Sequence, residues 1–212
     1  MDLYFSPLAC SLASRICLYE VGEASAATHF VQVDTRAKRL ADGGDFFAIN
    51  PLGQVPALRT DDGEVLTENT AVLQYLCERF PEARLAPEGT LARARLRECL
   101  GFIGTELHKA VFVPLLDARA PDAVKAYARE KLALRMGVLE KQLAGREFLL
   151  DAFSIADAYL VTVLNWSAAT GTSLAEWPAV QAYHTRLHQR PSIARAFAEE
   201  MALYRAAQQA TR

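Results

Sequence analysis

The sequence predicts an α/β domain followed by an all-α domain. In the first part of the chain, short strand-like segments alternate with helical ones, and this alternation ends at a segment that contains Pro81, Pro87 and Gly89. After that segment, apolar residues recur every three or four positions and no strand pattern is present. A length of 212 residues suits two small domains. We therefore predict domains at 1–80 and 90–212, joined by a linker at 81–89.

The first domain has the order strand, helix, strand, irregular segment, hairpin, helix. Its predicted strands are rich in aromatic and β-branched residues and lie at 3–5, 29–33, 56–59 and 64–67. Its predicted helices lie at 11–21, with Gly22 as C-cap, and from Thr67 or Glu68 onward. An Asp62-Gly63 turn joins the last two strands. Residues 35–48 are polar and predict an irregular loop or a broken helix.

The second domain is predicted to be helical throughout. Apolar residues mark one face of a long first helix at Leu96, Leu100, Ile103, Leu107, Val111 and Leu115. The same pattern resumes after Pro121. Residues 155–166 are apolar nearly all round, which predicts a buried central helix. Pro178 and Pro191 suit the first turns of two further helices.

Composition excludes several classes of protein. The chain is 51% apolar and 23% charged, as in globular proteins rather than disordered ones. A net charge of −2 gives no attraction to nucleic acid or an anionic membrane. No uninterrupted apolar run approaches the roughly 18 residues of a spanning helix, and the N-terminus lacks a secretory signal pattern. We therefore expect a cytoplasmic protein with no nucleic-acid or membrane partner.

The four cysteines are predicted to be reduced, and one of them to be reactive. They form no C-x-x-C pair and lack zinc-ligand spacing, so no metal is expected. Cys17, Cys77 and Cys99 lie in helical apolar patterns and are interpreted as packing residues. Cys10 lies between a strand end and a helix start, where the helix N–H groups favour the thiolate, the reactive form. Pro7 stands where a C-x-x-C motif would begin, which argues against dithiol–disulfide exchange within one site.

Two further segments of the first domain could bind a ligand. A cis bond between Val55 and Pro56 would turn the Val55 N–H and C=O outward to pair with an extended peptide, although the residues alone favour an ordinary trans turn. Glu68 and Asn69 open a helix, where the Asn69 N–H and side chain suit a ligand carboxylate. Glu68 could hold a ligand ammonium or could only complement the helix dipole.

His108 is the polar residue of interest in the second domain. Gly104 and Gly101 precede it by one and two turns, and glycine within a helix costs about 1 kcal/mol relative to alanine. Their presence suggests that something packs closely there. Taken alone, His108 fits a partly exposed surface histidine better.

Ser154 and Asp157 have the spacing of a helix capping box, in which the hydroxyl and the carboxylate satisfy each other's backbone N–H groups. Asp157 is therefore interpreted as structural, with a catalytic acid as the alternative. The remaining histidines have no acidic or cysteine partner nearby and are assigned no role: His29, His184 and His188.

Five motifs carry a family resemblance. They are Y-x-S-P-x-x-C-S-L from Tyr4, N-P-x-G-Q-V-P-A-L from Asn50, L-T-E from Leu66, E-L-H-K from Glu106 and S-I-A-D-A-Y-L from Ser154. Together they resemble the glutathione S-transferase family, over essentially the whole chain. The combination of Cys10 with His108 most resembles the bacterial beta class.

The resemblance implies a thioredoxin-like domain, a linker and an all-α domain, assembled as a homodimer, with a cis Val55–Pro56 bond. It implies glutathione as co-substrate. Cys10 then approaches the glutathione sulfur and can form a mixed disulfide with it, and His108 is a polar group near that sulfur. The other implied contacts are Val55 with the cysteinyl backbone, Glu68 and Asn69 with the γ-glutamyl end, Lys38 near the glycyl end, and Thr105 and Glu106 on the second domain.

The implied activity is conjugation of the glutathione thiol to small electrophiles. Two alternatives stay open: a glutathione-dependent thiol–disulfide reductase or peroxidase that uses Cys10, and a non-catalytic binding protein on the same fold. The chain departs from beta-class relatives at Cys99 and Gly101, where tryptophan and asparagine are common, and at Asn69, where glycine is common. These departures bear on the second-substrate pocket and on glutathione affinity.

Overall fold

Two structural units make up the fold. The computed structural model describes residues 1–210, with side chains through residue 209. One unit combines Met1–Arg84 with the C-terminal helix that begins at Pro191, and the other is Leu85–Arg190. The predicted division placed everything from residue 90 onward in the helical domain. The structure differs at the C-terminal end of the chain, because the last helix packs on the first helix of the α/β unit.

A five-stranded mixed sheet forms the centre of the first unit. Its strands are β1 (Asp2–Phe5), β2 (His29–Asp34), β3 (Arg39–Leu40), β4 (Ala57–Arg59) and β5 (Val65–Thr67). The spatial order is β3-β2-β1-β4-β5, with β1 and β2 parallel and every other pair antiparallel. The predicted strands are confirmed. β3 lies within the segment predicted to be irregular, because a two-residue strand is too short to show an alternating pattern.

The helices of the described residues follow the predicted order. They are α1 (Leu12–Val21), α2 (Asn69–Arg79), α3 (Thr90–Gly101), α4 (Val113–Leu116), α5 (Asp122–Leu143), α6 (Ile155–Leu164), α7 (Trp166–Thr170), α8 (Pro178–Leu187) and α9 (Pro191–Ala210). A π-helical segment, Phe102–Phe112, joins α3 to α4. The predicted helix at 155–166 is broken at Asn165 into α6 and α7.

Side-chain alternation gives the sheet two buried faces. One face carries a cluster that consists of Tyr4, Val33, Phe46 and Ala57. The opposite face carries Leu3 and Phe5, and the Arg15 guanidinium of α1 lies 4.3 Å from the Phe5 ring centroid. Because both faces are covered, the strand ends are the places where this unit can bind a ligand.

Buried charges attach α9 to α1. Arg15 of α1 is 4% exposed, and its guanidinium lies 3.2 Å from a Glu199 oxygen and 3.1 Å from a Glu200 oxygen. The Tyr19 hydroxyl donates a second hydrogen bond to Glu199. A buried guanidinium is stable only when it is paired. The pairing therefore explains why α9 belongs with the α/β unit.

The second unit is helical, as predicted, and α6 is its buried centre. Every residue of α6 is buried, which agrees with its apolar sequence. By length and composition alone, the continuous helix Thr90–Leu116 could also cross a membrane. A core helix of a water-soluble protein meets the same criterion.

Candidate functional site

Four predicted ligand-binding segments lie at one end of the sheet in the first unit. Tyr4 of β1 is opposite Ala57 of β4, and Ala57 is opposite Thr67 of β5. Three segments therefore share that end: the turn that follows β1, the residue pair before β4 and the helix start after β5. Because β2 runs parallel to β1, the loop after β2 emerges there too. Register thus brings Cys10, Lys38, Val55 and the Glu68–Asn69 pair to a common edge.

Cys10 lies in the turn between β1 and α1, next to Ser11, the N-cap residue of α1. Its side chain is buried, and its Sγ donates a hydrogen bond to the Val55 carbonyl at 3.1 Å. The Cys10 carbonyl accepts the Ala13 N–H of the first helical turn. The predicted position at the start of the helix is confirmed. All four cysteines, each within the described residues, are thiols rather than disulfides.

Glu200 of α9 forms a hydrogen bond with the backbone of this turn. Its Oε2 accepts the Leu8 backbone N–H at 2.7 Å, and Leu8 has a φ of 62°, which non-glycine residues adopt rarely. Burial raises the pKa of Glu200 to about 7, although Arg15 and the Leu8 N–H oppose the shift. No local sequence pattern indicates this contact, since Glu200 is 192 positions from Leu8 in the chain.

The loop before β4 is held in place by a hydrogen bond and by close packing at Gly53. The Val55–Pro56 bond is cis, as the family resemblance implied and contrary to the expectation from these residues alone. The Lys38 ammonium donates to the Gly53 carbonyl at 2.7 Å. A Cβ on Gly53 would lie 2.8 Å from the Phe47 ring and 2.9 Å from the Lys38 chain, and the φ of Gly53 is 58°. Glycine is therefore required there.

Glu68 and Asn69 start α2 in different environments. Glu68 is exposed, and its φ of 66° is unusual for a residue with a side chain. Asn69 is 7% exposed, and neither its Nδ2 nor its Oδ1 has a hydrogen-bond partner among the described residues. Buried polar groups are paired in most folded proteins. An unpaired amide at a helix N-terminus therefore suits a ligand that carries both donor and acceptor groups.

His108 is buried in the second unit, so the surface position favoured by its residue type alone is wrong. Its Nδ1 lies 2.6 Å from the Tyr159 hydroxyl, and its ring packs against Trp166 with centroids 4.8 Å apart. Burial, and then the charge of Lys109, lower the pKa of His108 to about 4. At neutral pH the imidazole is neutral and can donate or accept a hydrogen bond.

The other predicted residues of the second unit have hydrogen-bond partners within that unit. The Thr105 hydroxyl donates to the Gly101 carbonyl at 2.9 Å. Arg135 of α5 donates to Glu106 Oε2 through its Nε at 2.9 Å. A Cβ on Gly101 would meet nothing within 4 Å, so the expected close packing at this glycine is absent from the described residues.

The π-helical segment that carries these residues was not predicted. The Val113 N–H at its end donates to the His108 carbonyl five residues earlier. A sequence pattern of apolar residues does not distinguish this spacing from the α-helical one. π-helical turns occur often at functional positions, which agrees with the predicted roles of Thr105, Glu106 and His108. Those roles stay predictions.

Ser154 and Asp157 form the predicted capping box of α6. Asp157 is fully buried, and its carboxylate accepts from the Ser154 N–H, the Ser154 hydroxyl, the Leu149 N–H and the Tyr183 hydroxyl, all within 2.9 Å. Burial raises the pKa of Asp157 in spite of these bonds. Saturation by structural donors supports the structural interpretation rather than a catalytic acid.

Family models match both parts of the chain. A model described as "Glutathione S-transferase, N-terminal domain" covers residues 9–79, and one described as "Glutathione S-transferase, C-terminal domain" covers residues 105–191. Among curated proteins, the glutathione S-transferase GstA of Escherichia coli O157:H7 is 40% identical over 202 residues, which are 94% of this chain and 98% of that protein.

Two solved structures are similar along the same length. One is a sphingomonad glutathione S-transferase complexed with glutathione, with 44% identity, a TM-score of 0.88 and coverage of 94% of this chain and 98% of that one. The other is described as a bacterial beta class glutathione S-transferase of Sphingomonas chungbukensis, with 44% identity, a TM-score of 0.89 and the same coverage.

Proposed function

The chain belongs to the glutathione S-transferase family, and from this membership we propose that its α/β unit holds glutathione at the common edge described above. The fold is that of the family, with a thioredoxin-like unit and a helical unit. The enzyme conjugates the glutathione thiol to small electrophiles. The observation that carries the proposed site is the hydrogen bond between Cys10 and Val55, because it joins the residue assigned to the sulfur with the one assigned to the peptide.

The tripeptide is proposed to lie along the loop before β4. The Val55 backbone pairs with its cysteinyl residue as one strand pairs with another. Lys38 supports the glycyl end, where its ammonium would complement the terminal carboxylate. That ammonium already lies 2.7 Å from the Gly53 carbonyl, which places its charge on this loop. The backbone thus supplies affinity, and the lysine fixes the direction of the peptide.

The γ-glutamyl end is proposed to bind at the start of α2. Glu68 is exposed and can pair with the free ammonium of glutathione. The buried Asn69 amide can bind the neighbouring carboxylate through its Nδ2, beside the backbone N–H groups of the first helical turn. The absence of other partners for this side chain among the described residues supports the assignment.

Conjugation requires the glutathione sulfur to act as a thiolate. The N–H groups and positive end of α1 stabilise negative charge beside Cys10. The thiolate then attacks the electrophilic carbon, a carbon–sulfur bond forms, and a leaving group such as chloride departs with the bonding electrons. Holding both reactants together removes much of the entropic barrier. His108 is uncharged at neutral pH, so its proposed role near the sulfur is that of a hydrogen-bonding group.

A homodimer is proposed from an exposed apolar stripe on α5. The stripe has helical spacing and consists of Val124, Tyr127, Leu134 and Val138, each more than 40% exposed. Contiguous exposed apolar surface is typical of association sites. Sedimentation should show a dimer, with Leu134→Glu as a monomeric variant. A monomeric parent chain would contradict the proposal.

The proposed location is the cytoplasm, where glutathione is reduced and the thiols of the chain stay reduced. The direct test of function is the initial rate of conjugation of glutathione to a chloronitrobenzene. We expect saturable turnover in both substrates. Undetectable turnover at millimolar glutathione would contradict the assignment and would favour the non-catalytic alternative, which a calorimetric titration without glutathione binding would establish.

A further inference from the structure

His184 and His188 point their imidazoles at a single atom in the helical unit. His184 lies in α8, and His188 follows it with helical dihedral angles, its N–H donating to the His184 carbonyl at 3.1 Å. The two ring centroids are 4.5 Å apart. The Nε2 atom of each ring lies 2.7 Å from Oδ1 of Asn165, the residue at the break between α6 and α7.

From this convergence, we propose that His184, His188 and Asn165 form a binding site for a divalent transition-metal ion. Two histidines one helical turn apart can direct their nitrogens to one ion. Metal–nitrogen bonds of about 2.0–2.1 Å would place an ion between the rings, close to the point that Oδ1 now occupies. The amide oxygen would become a third ligand after a small rotation.

The Asn165 amide gives an independent reason to infer a ligand. Its Nδ2 is buried and has no hydrogen-bond partner among the described residues. A structural asparagine normally pairs both ends of its amide. Here only the oxygen has hydrogen-bond partners, and both are histidines, a residue type that commonly binds metal ions. A bound ion would turn this incompletely satisfied amide into a coordinating group.

The protonation state of the rings suits metal binding. A metal ligand must be a neutral imidazole. Burial lowers the pKa of His184 to about 4, with a further contribution from His188, and burial also lowers the pKa of His188. Both rings are half-buried, which leaves a path to solvent. At neutral pH both rings are therefore uncharged, and binding an ion through Nε2 requires only that the ring proton moves to Nδ1.

The chemistry of the three groups selects the class of ion. Imidazole nitrogen favours Zn²⁺, Ni²⁺ and Cu²⁺, whereas Mg²⁺ and Ca²⁺ prefer sets of oxygen ligands. No group of three or more His, Cys, Asp or Glu side chains converges anywhere in residues 1–210. The proposed site thus has two strong ligands, and water would complete the coordination. This makes it an exchangeable site rather than a permanent structural one.

The test uses the full chain without a histidine tag, titrated with Zn²⁺ in competition with a chromophoric chelator. We expect one equivalent of Zn²⁺, with His184→Ala and His188→Ala each weakening binding about tenfold or more. His29→Ala is the matched control, because His29 is an exposed histidine on β2, and it should bind as the parent does. All of these variants keep the same cysteines, so thiol binding cancels in the comparison.

A gain-of-affinity variant guards against misfolding. Asn165→Asp replaces the amide oxygen with a carboxylate and should tighten Zn²⁺ binding. Electron paramagnetic resonance of the Cu²⁺ form should show two nitrogen ligands. Equal Zn²⁺ affinity in the parent chain and in His184→Ala, or no binding to the parent, would overturn the proposal. Glutathione conjugation without added metal should be the same in the parent and the histidine variants, so the two proposals fail separately.

Discussion

The Cys10 thiol donates a hydrogen bond to the Val55 carbonyl at 3.1 Å. The contact joins the turn after β1 to the loop before β4. A peptide paired with Val55 would therefore carry its own side chain close to Cys10. In glutathione that side chain bears the sulfur, so the same geometry serves both recognition and chemistry.

Replacing Cys10 with alanine separates the conjugating function from its thiol-reductase alternative. In the conjugation mechanism the nucleophile is the glutathione sulfur, so Cys10→Ala should retain part of the turnover with a chloronitrobenzene. Reduction of a mixed-disulfide substrate requires a thiolate on the protein, so that activity should vanish. Complete loss of conjugation in a folded Cys10→Ala protein would show that conjugation requires the Cys10 thiol, contrary to this mechanism.

Asn69→Ala should weaken glutathione binding without weakening the fold. A hydrogen bond to a charged group contributes about 1.5–3 kcal/mol, so the KM for glutathione should rise by roughly ten- to a hundredfold. Because the amide has no partner in the free protein, its removal should leave the free energy of unfolding unchanged or raise it. Thr70→Ala, one residue further along α2, is the control. An unchanged KM would show that Asn69 does not contact glutathione.

Glu200→Gln should change how stability depends on pH. Burial raises the folded-state pKa of Glu200 to about 7, while the unfolded value is near 4.3. Between these values the folded chain holds a proton that the unfolded chain has lost. The contribution of Glu200 to stability is therefore complete below the unfolded pKa and is lost as pH rises through the folded pKa, at up to about 1.4 kcal/mol per pH unit.

Denaturant unfolding at several values between pH 5 and pH 7 measures this slope. Removing Glu200 should make the slope less negative. The control is Glu147→Gln, because Glu147 is an exposed glutamate of the helical unit and its removal should leave the slope unchanged. A parent and a Glu200→Gln variant with the same slope would show that Glu200 is ionised in the folded protein.

Asp157→Asn tests the structural role of the capping box. An amide offers one oxygen to donors that now share two, so at least one buried donor loses its partner and the free energy of unfolding should fall by about 1–3 kcal/mol. Ser154→Ala should cost about 1 kcal/mol. Neither change should alter kcat below the unfolding temperature. Loss of kcat in a stable Asp157→Asn protein would instead support the catalytic alternative.

The sequence predicted those parts of the fold that short-range patterns determine. The strands at residues 3–5 and 29–33, the cap at Ser154 and the helix starts at Pro178 and Pro191 all follow from local composition. The part of the candidate site that lies in the α/β unit was predictable for the same reason, since each of its segments follows or precedes a strand or helix that the sequence predicts.

The remaining features depend on contacts across long stretches of chain. Glu200 reaches Leu8, and Asn165 receives two histidines that the sequence left without a role. No local pattern encodes such pairs, because they form only when helices pack. The burial of His108 has the same origin, since Tyr159 and Trp166 cover it from elsewhere in the unit.

In the proposed complex the glutathione sulfur lies beside Cys10, and the mass of the intact protein after reaction with glutathione disulfide tests this most directly. The chain is incubated with glutathione disulfide, in which the Cys10 thiolate would displace one glutathione. We expect a mass gain of roughly 305 Da that reductant removes and that Cys10→Ala lacks. No gain in the parent chain, or an equal gain in Cys10→Ala, would contradict the claim.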